Sequence, residues 1–318
     1  MLSVALALVA ALLFALGTVL QQRVAMTVPD AGAHSAWFML RLARHPVWVA
    51  GIAATLVGFV FHAAALAGGE IVIVQPILSL TMVIALPLGA RLSAQRVSRS
   101  DVIAAIGATA GLAAFLVLSN SSAGRDDAPI GQWAIAGGGL VAISAALTAA
   151  GLHRSPAVKA TLIGSAAGIL FGLHGALVKG MVTQFDHGLL GPLQSWELYA
   201  VLLGAWVSMT ISQIALQAGD LAPAIATESI LAPIAGVALG VTLFQESLHD
   251  TTAGVVLSLA ALAVMLACIA ALSRSASSWS RASAPLRPRD RARSPGSARA
   301  RSPGRGRRRA RRSSPPAR

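Results

Sequence analysis

Glu228 is the residue that most invites a chemical reading. It stands between Thr227 and Ser229 inside an apolar run at 221–244. An ionised carboxylate inside a bilayer costs at least ~2.5–3.5 kcal/mol, so it must face a wet cavity, pair with a cation or carry a proton. His62 and His174, in two other apolar runs, have imidazoles suited to relaying protons or lining a solute path, or else to packing neutrally through hydrogen bonds. Gln75, Gln213 and Gln21 offer uncharged polar contacts to a solute. Lys179 is the second charge found in an apolar run, and its stem is long enough to snorkel to a surface. These residues suit the binding and passage of a solute or ion better than covalent chemistry. The sequence has no Gly-x-x-x-x-Gly-Lys-Ser/Thr phosphate loop and no His/Cys/carboxylate cluster at metal-ligand spacing. Asp126 and Asp127 form a loop pair without neighbouring ligands in sequence. Neither an enzyme nor a cofactor is therefore expected, and Cys268 has no second thiol to pair with.

The elements that must carry these residues are membrane helices. The chain has 318 residues, 55% hydrophobic and 12% charged, with a mean hydropathy of +0.70; that charge is about half of what soluble domains carry. A bilayer core about 30 Å thick needs roughly 20 apolar residues per helix. Segments 2–21, 47–67, 71–90, 102–118, 133–151, 160–182, 198–217, 221–244 and 252–272 meet that length, and none alternates like a barrel strand. The expected fold is an all-α integral membrane protein with about nine transmembrane helices. The first segment lacks a basic flank and reads as a span rather than a cleaved leader.

Charge orients the spans. The loops after spans 1, 3 and 5 hold Arg23, Arg41, Arg44, Arg91, Arg96, Arg99, Arg154 and Lys159; the opposite side has Arg125, with Lys179 near the end of span 6. The positive-inside rule then puts the N-terminus outside and the C-terminus in the cytoplasm of a multi-pass plasma (inner) membrane protein. Residues 35–44, with Trp37 and Phe38 beside Arg41 and Arg44, read either as an interfacial helix or as an ordinary loop. The formal charge of +13 is all tail: residues 1–272 hold 10 Lys+Arg against 11 Asp+Glu, and residues 273–318 hold 15 Arg and one Asp. That Arg/Ser/Pro-rich segment is expected to be disordered, with anionic inner-leaflet lipid as its natural partner and no platform for specific nucleic-acid binding.

The sequence also repeats. AGILFGL at 167–173 lies over AALLFAL at 10–16, and ALQAGDL at 215–221 lies over ALAGGEI at 65–71. Spans 6–9 thus echo spans 1–4, and a shift of five spans inverts the second copy. The expected organisation is a transmembrane domain at 1–272, with repeats 1–119 and 159–272 joined by a helix at 132–151, and a tail at 273–318. The duplication, the opening FALGTVLQQ at 14–22 and the run GEIVIVQPI at 69–77 resemble the drug/metabolite transporter superfamily with its EamA-like halves. Within that superfamily they look most like the NIPA-type branch, described as magnesium transporters. The resemblance implies a secondary transporter working by alternating access on a small solute or cation, magnesium being one candidate. An exporter of small organic metabolites or drugs and a non-transporting membrane scaffold are the alternatives, and a homodimer is compatible with any of them.

Alternating access needs helices that can hinge. Pro76 and Pro87 in span 3 and Pro223 and Pro233 in span 8 are the expected breaks, since proline cannot donate to the helix ladder. Gly164, Gly168 and Gly172 make two small-xxx-small steps on which another helix can pack closely. Glu70 and Asp220 each precede a helix after a glycine, and read as N-caps or as cation-recruiting groups at the two mouths. Metal ligation therefore rests on Glu228, with Glu70 and Asp220 as weaker candidates.

Overall fold

A computed structural model describes residues 1–25, 43–93, 97–218 and 221–282. Among them, nine helical segments are long and apolar enough to cross a membrane. There is no strand among the described residues, only an isolated bridge between Ser122 and Ser247. In order the helices are α1 (Leu2–Ala25), α2 (Pro46–Ala67), the half-helices α3a (Ile71–Leu78) and α3b (Thr81–Ser93), α4 (Arg99–Leu118), α5 (Ile130–Leu152), α6 (Pro156–Thr183), α7 (Trp196–Leu216), α8 (Leu221–Thr242) and α9 (Thr252–Ala282). One compact unit is Met1–Trp279; of the second, Ser280–Arg318, residues 280–282 are described and helical. Most of the 35–44 segment, Asp220 and the tail beyond 282 lie outside the described residues.

These helices begin where local chemistry favours a start. Ser98 and Asp101 form a capping box at α4, with Asp101 N donating to Ser98 Oγ at 3.2 Å and Ser98 N to Asp101 Oδ2 at 2.9 Å. Prolines 46 and 156 open α2 and α6, where a missing N–H costs nothing.

The span expected at 71–90 is broken into two half-helices. Three residues after Pro76 the chain leaves the α ladder, and Ser79 N and Leu80 N bond back to Pro76 O and Ile77 O at 3.1 and 3.0 Å. Pro87 lies inside α3b, on the wall of an apolar groove of about 700 Å³ shared with α4. Span 8, by contrast, remains one helix. Pro233 is inside α8, but Pro223 sits in its first turn, where it cannot hinge the middle. The last helix runs ten residues beyond 272, because the chain reaches no proline until Pro285.

α6 is the packing axis, flanked by α5, α7 and α8, while α1 lies against α2 and both halves of α3. Gly164, Gly168 and Gly172 form the seam to α8. A Cβ at these positions would stand 2.7 Å from Ala224 O, 2.8 Å from Glu228 O and 2.6 Å from Ala232 O, so only glycine admits this approach. α1 starts and α6 ends at one face: Ser3 Oγ donates to Gly68 O at 2.7 Å, and Lys179 Nζ stands 3.5 Å from Gly69 O.

Candidate functional site

The polar residues of the interior are strung along α6. At the level of Gly168, α8 presents Glu228, half-buried, and Ser212 Oγ of α7 donates to its Oε2 at 2.7 Å. Among the described residues no cation stands within ion-pair distance of this carboxylate.

One to two turns further along, Gln75 of α3a is wedged between α6 and α8. Its amide lies against Gly175, and its Cγ would be 2.6 Å from a Cβ on Gly236. The half-helix can enter the bundle this deeply only because both neighbours lack side chains. Gly236→Ala is expected to cost ~1–3 kcal/mol by overpacking. Adding Gln75→Ala should return part of that loss, a coupling of ~0.5–3 kcal/mol in a thermal-unfolding double-mutant cycle. Additive effects would dissociate Gln75 from this glycine pair.

His174 lies on the same turn of α6, next to Gly175, and α2 brings His62 close to it. Both rings stand by Phe59, with centroids 6.2 Å from His62 and 6.1 Å from His174, and Phe14 is 6.3 Å from His62. His62 Nε2 and His174 Nδ1 are buried without a hydrogen-bond partner, leaving two ring nitrogens able to meet a proton or a polar solute. Two of the expected contacts stand apart from this line. Gln21 donates to Thr55 at 3.1 Å in the α1–α2 seam. Gln213 is exposed, while its neighbour Ser212 is the one turned inward to Glu228.

At the end of α6, about 16 Å beyond Gly168 by helix rise, the sequence reading and the structure part. Lys179 does not snorkel: it is buried and ion-paired with Glu246, with its Nζ 4.9 Å from the centre of the Phe244 ring. Glu246 also accepts Ile71 N and Val72 N, each at 2.9 Å, on its two oxygens. It thereby caps α3a from 175 residues away, and those amides together with the helix dipole favour its negative charge. Glu70 occupies the N-cap position but makes no side-chain cap bond. Gln245, at φ 56°, is the non-glycine residue whose left-handed backbone turns Glu246 inward. The loop is held by Arg125, whose N and Nε donate to Phe244 O and Leu243 O at 2.7 and 2.9 Å, and by the Ser122–Ser247 contact at 2.7 Å. Sequence reasoning missed Glu246 because it lies outside every span; the available signal was Lys179 itself, a buried cation that required an acid.

The end of α6 therefore carries a neutralised ion pair, while the other polar levels hold a lone carboxylate, an amide and two imidazoles. No family model matches the chain, and no solved structure matches it. An uncharacterized protein of Corynebacterium glutamicum is 29% identical to it over 278 residues, 86% of this chain and 95% of the relative.

Proposed function

We propose that the protein is a secondary transporter that carries a small cation along α6 by alternating access, in the manner of the drug/metabolite transporter superfamily. The observation that carries this reading is Glu228: a carboxylate inside the bundle, held by a neutral hydroxyl rather than by a cation. A group placed so has capacity left for a proton or a metal ion. Glu246, by contrast, is a buried acid that is fully engaged and serves the architecture. Three further features support the reading. α1 begins where α6 ends, as two inverted halves require. The break after Pro76 supplies an interrupted helix beside the path, and Pro233 removes one ladder donor from the continuous α8. The basic loops orient the N-terminus outside the plasma membrane and the tail within, so the Lys179–Glu246 latch closes the outer mouth. Magnesium is the cation that the NIPA-like segments suggest. The ring cluster of Phe14, Phe59, His62 and His174 favours an organic solute as the second reading.

The test is uptake into sealed proteoliposomes holding a magnesium-sensitive dye. Saturable magnesium uptake above protein-free vesicles is expected. Uptake of organic cations alone would move the reading to the second solute class, and no uptake of either by folded protein would sink the transporter reading.

A further inference from the structure

Gly180, one residue past Lys179, faces groups that none of the contacts above employ. A Cβ built there would stand 3.2 Å from Trp133 Cζ2, 3.6 Å from Glu197 Cγ and 3.7 Å from Asp127 Oδ1. The first turn of α7 and the loop before α5 thus bring two carboxylates to one bare spot on α6. Glu197 is 3% exposed, and its Oε2 is buried with no hydrogen-bond partner. The nearby cations are committed elsewhere, Lys179 to Glu246 and Arg125 to Leu243 O and Gln132. A buried carboxylate oxygen left unsatisfied is costly unless a further group arrives to meet it.

Asp127 is already set in place. Its Oδ1 accepts Ala128 N at 2.7 Å and Trp133 Nε1 at 3.4 Å, and Trp133 in turn packs edge-on to Trp196 at 5.6 Å between ring centres. Burial is graded along the approach: Asp126 is exposed, Asp127 half-buried and Glu197 enclosed.

We propose that Asp127 and Glu197 form a binding site for a divalent cation, a loading position about 18 Å along α6 from the Glu228 level. The ligand class follows from the donors. Both are carboxylates, which together balance a double positive charge, and among the described residues no His or Cys joins them as a further ligand, so a hard, oxygen-seeking ion is selected. Water completes its coordination, as is usual for small divalent ions held by one or two carboxylates. The site deepens the cation form of the transport reading, and rests on it for its role in loading.

Manganese(II) serves as the probe, titrated into the full-length protein in lipid nanodiscs and followed by electron paramagnetic resonance. One manganese ion per chain at this position, displaced by magnesium, is expected in the wild type. Glu197→Gln and Asp127→Asn should each weaken binding at least tenfold. Asp127 is on a loop, so its variant keeps the test decisive if Glu197→Gln does not fold. Absence of binding in the wild type, or unchanged binding in both carboxylate variants, overturns the site. Manganese bound here without magnesium uptake by vesicles would sink the magnesium form of the transport reading and leave this site standing. Uptake without binding would do the reverse.

Discussion

Glu246→Ala is expected to lower stability by ~3–5 kcal/mol, because it strips a buried ammonium of its counter-ion. The side chains of Lys179 and Glu246 are 7% and 0% exposed, so water cannot replace the missing partner. The same substitution orphans Ile71 N and Val72 N at the start of α3a, and buried donors without acceptors cost ~1–3 kcal/mol each. Lys179→Met should cost distinctly less, since the carboxylate it leaves behind still accepts two amides at a helix N-terminus. Combining Lys179→Met with Glu246→Gln should recover most of the loss: no charge remains buried, and the new amide oxygen still caps one N–H. Thermal unfolding in detergent micelles orders the three variants. Equal losses in the two single variants would mean that the contact with α3a contributes nothing. A loss below ~1 kcal/mol in Glu246→Ala would mean that the pair is as weakly coupled as a surface ion pair.

Much of the fold was legible because a bilayer imposes length and apolarity on each span. Every expected segment lies within an observed helix or pair of half-helices to within about two residues, the usual uncertainty of helix ends, apart from the starts of the longer α4, α5 and α6, the ends of α1 and α3b and the extension of α9. Pro76 marked the discontinuity in α3, though the break falls at Ser79–Leu80, because proline removes one donor while the ladder fails a turn later. The site was legible only where chemistry was out of place in its own segment. Glu228, Gln75, His62 and His174 each stood out as polar in an apolar run, and the structure sets the first three beside α6 and His174 on it. Partnership between distant segments was not legible. Nothing near Lys179 in sequence names Glu246, 67 residues away, as its acid. Glu70 had the local signature of a cap, yet the amides it would have served are taken by a residue from another loop. Glu197 escaped notice for a simpler reason, lying one residue before the expected start of its span at 198.

Glu228→Gln should cut saturable cation uptake at least tenfold while leaving thermal stability unchanged or raised. The amide is nearly isosteric and its oxygen can still accept the Ser212 hydroxyl, so the α7–α8 contact and the glycine seam beneath it persist. What disappears is the charge, and with it any attraction for a cation or capacity to exchange a proton; a buried carboxylate with only a hydroxyl partner is itself a destabilising element. Stability and transport should therefore move independently, in contrast with Glu246→Ala, where unfolding precedes any effect on flux. Ser212→Ala is the complementary variant. It keeps the charge and deletes a hydrogen bond to a charged group, worth ~1.5–3 kcal/mol, so it should perturb affinity for the cation more than it perturbs the maximal rate. Uptake by Glu228→Gln equal to that of the wild type would return this carboxylate to a packing role. The path along α6 would then have to be built from Gln75 and the two histidines, none of which carries the negative charge that a cation requires.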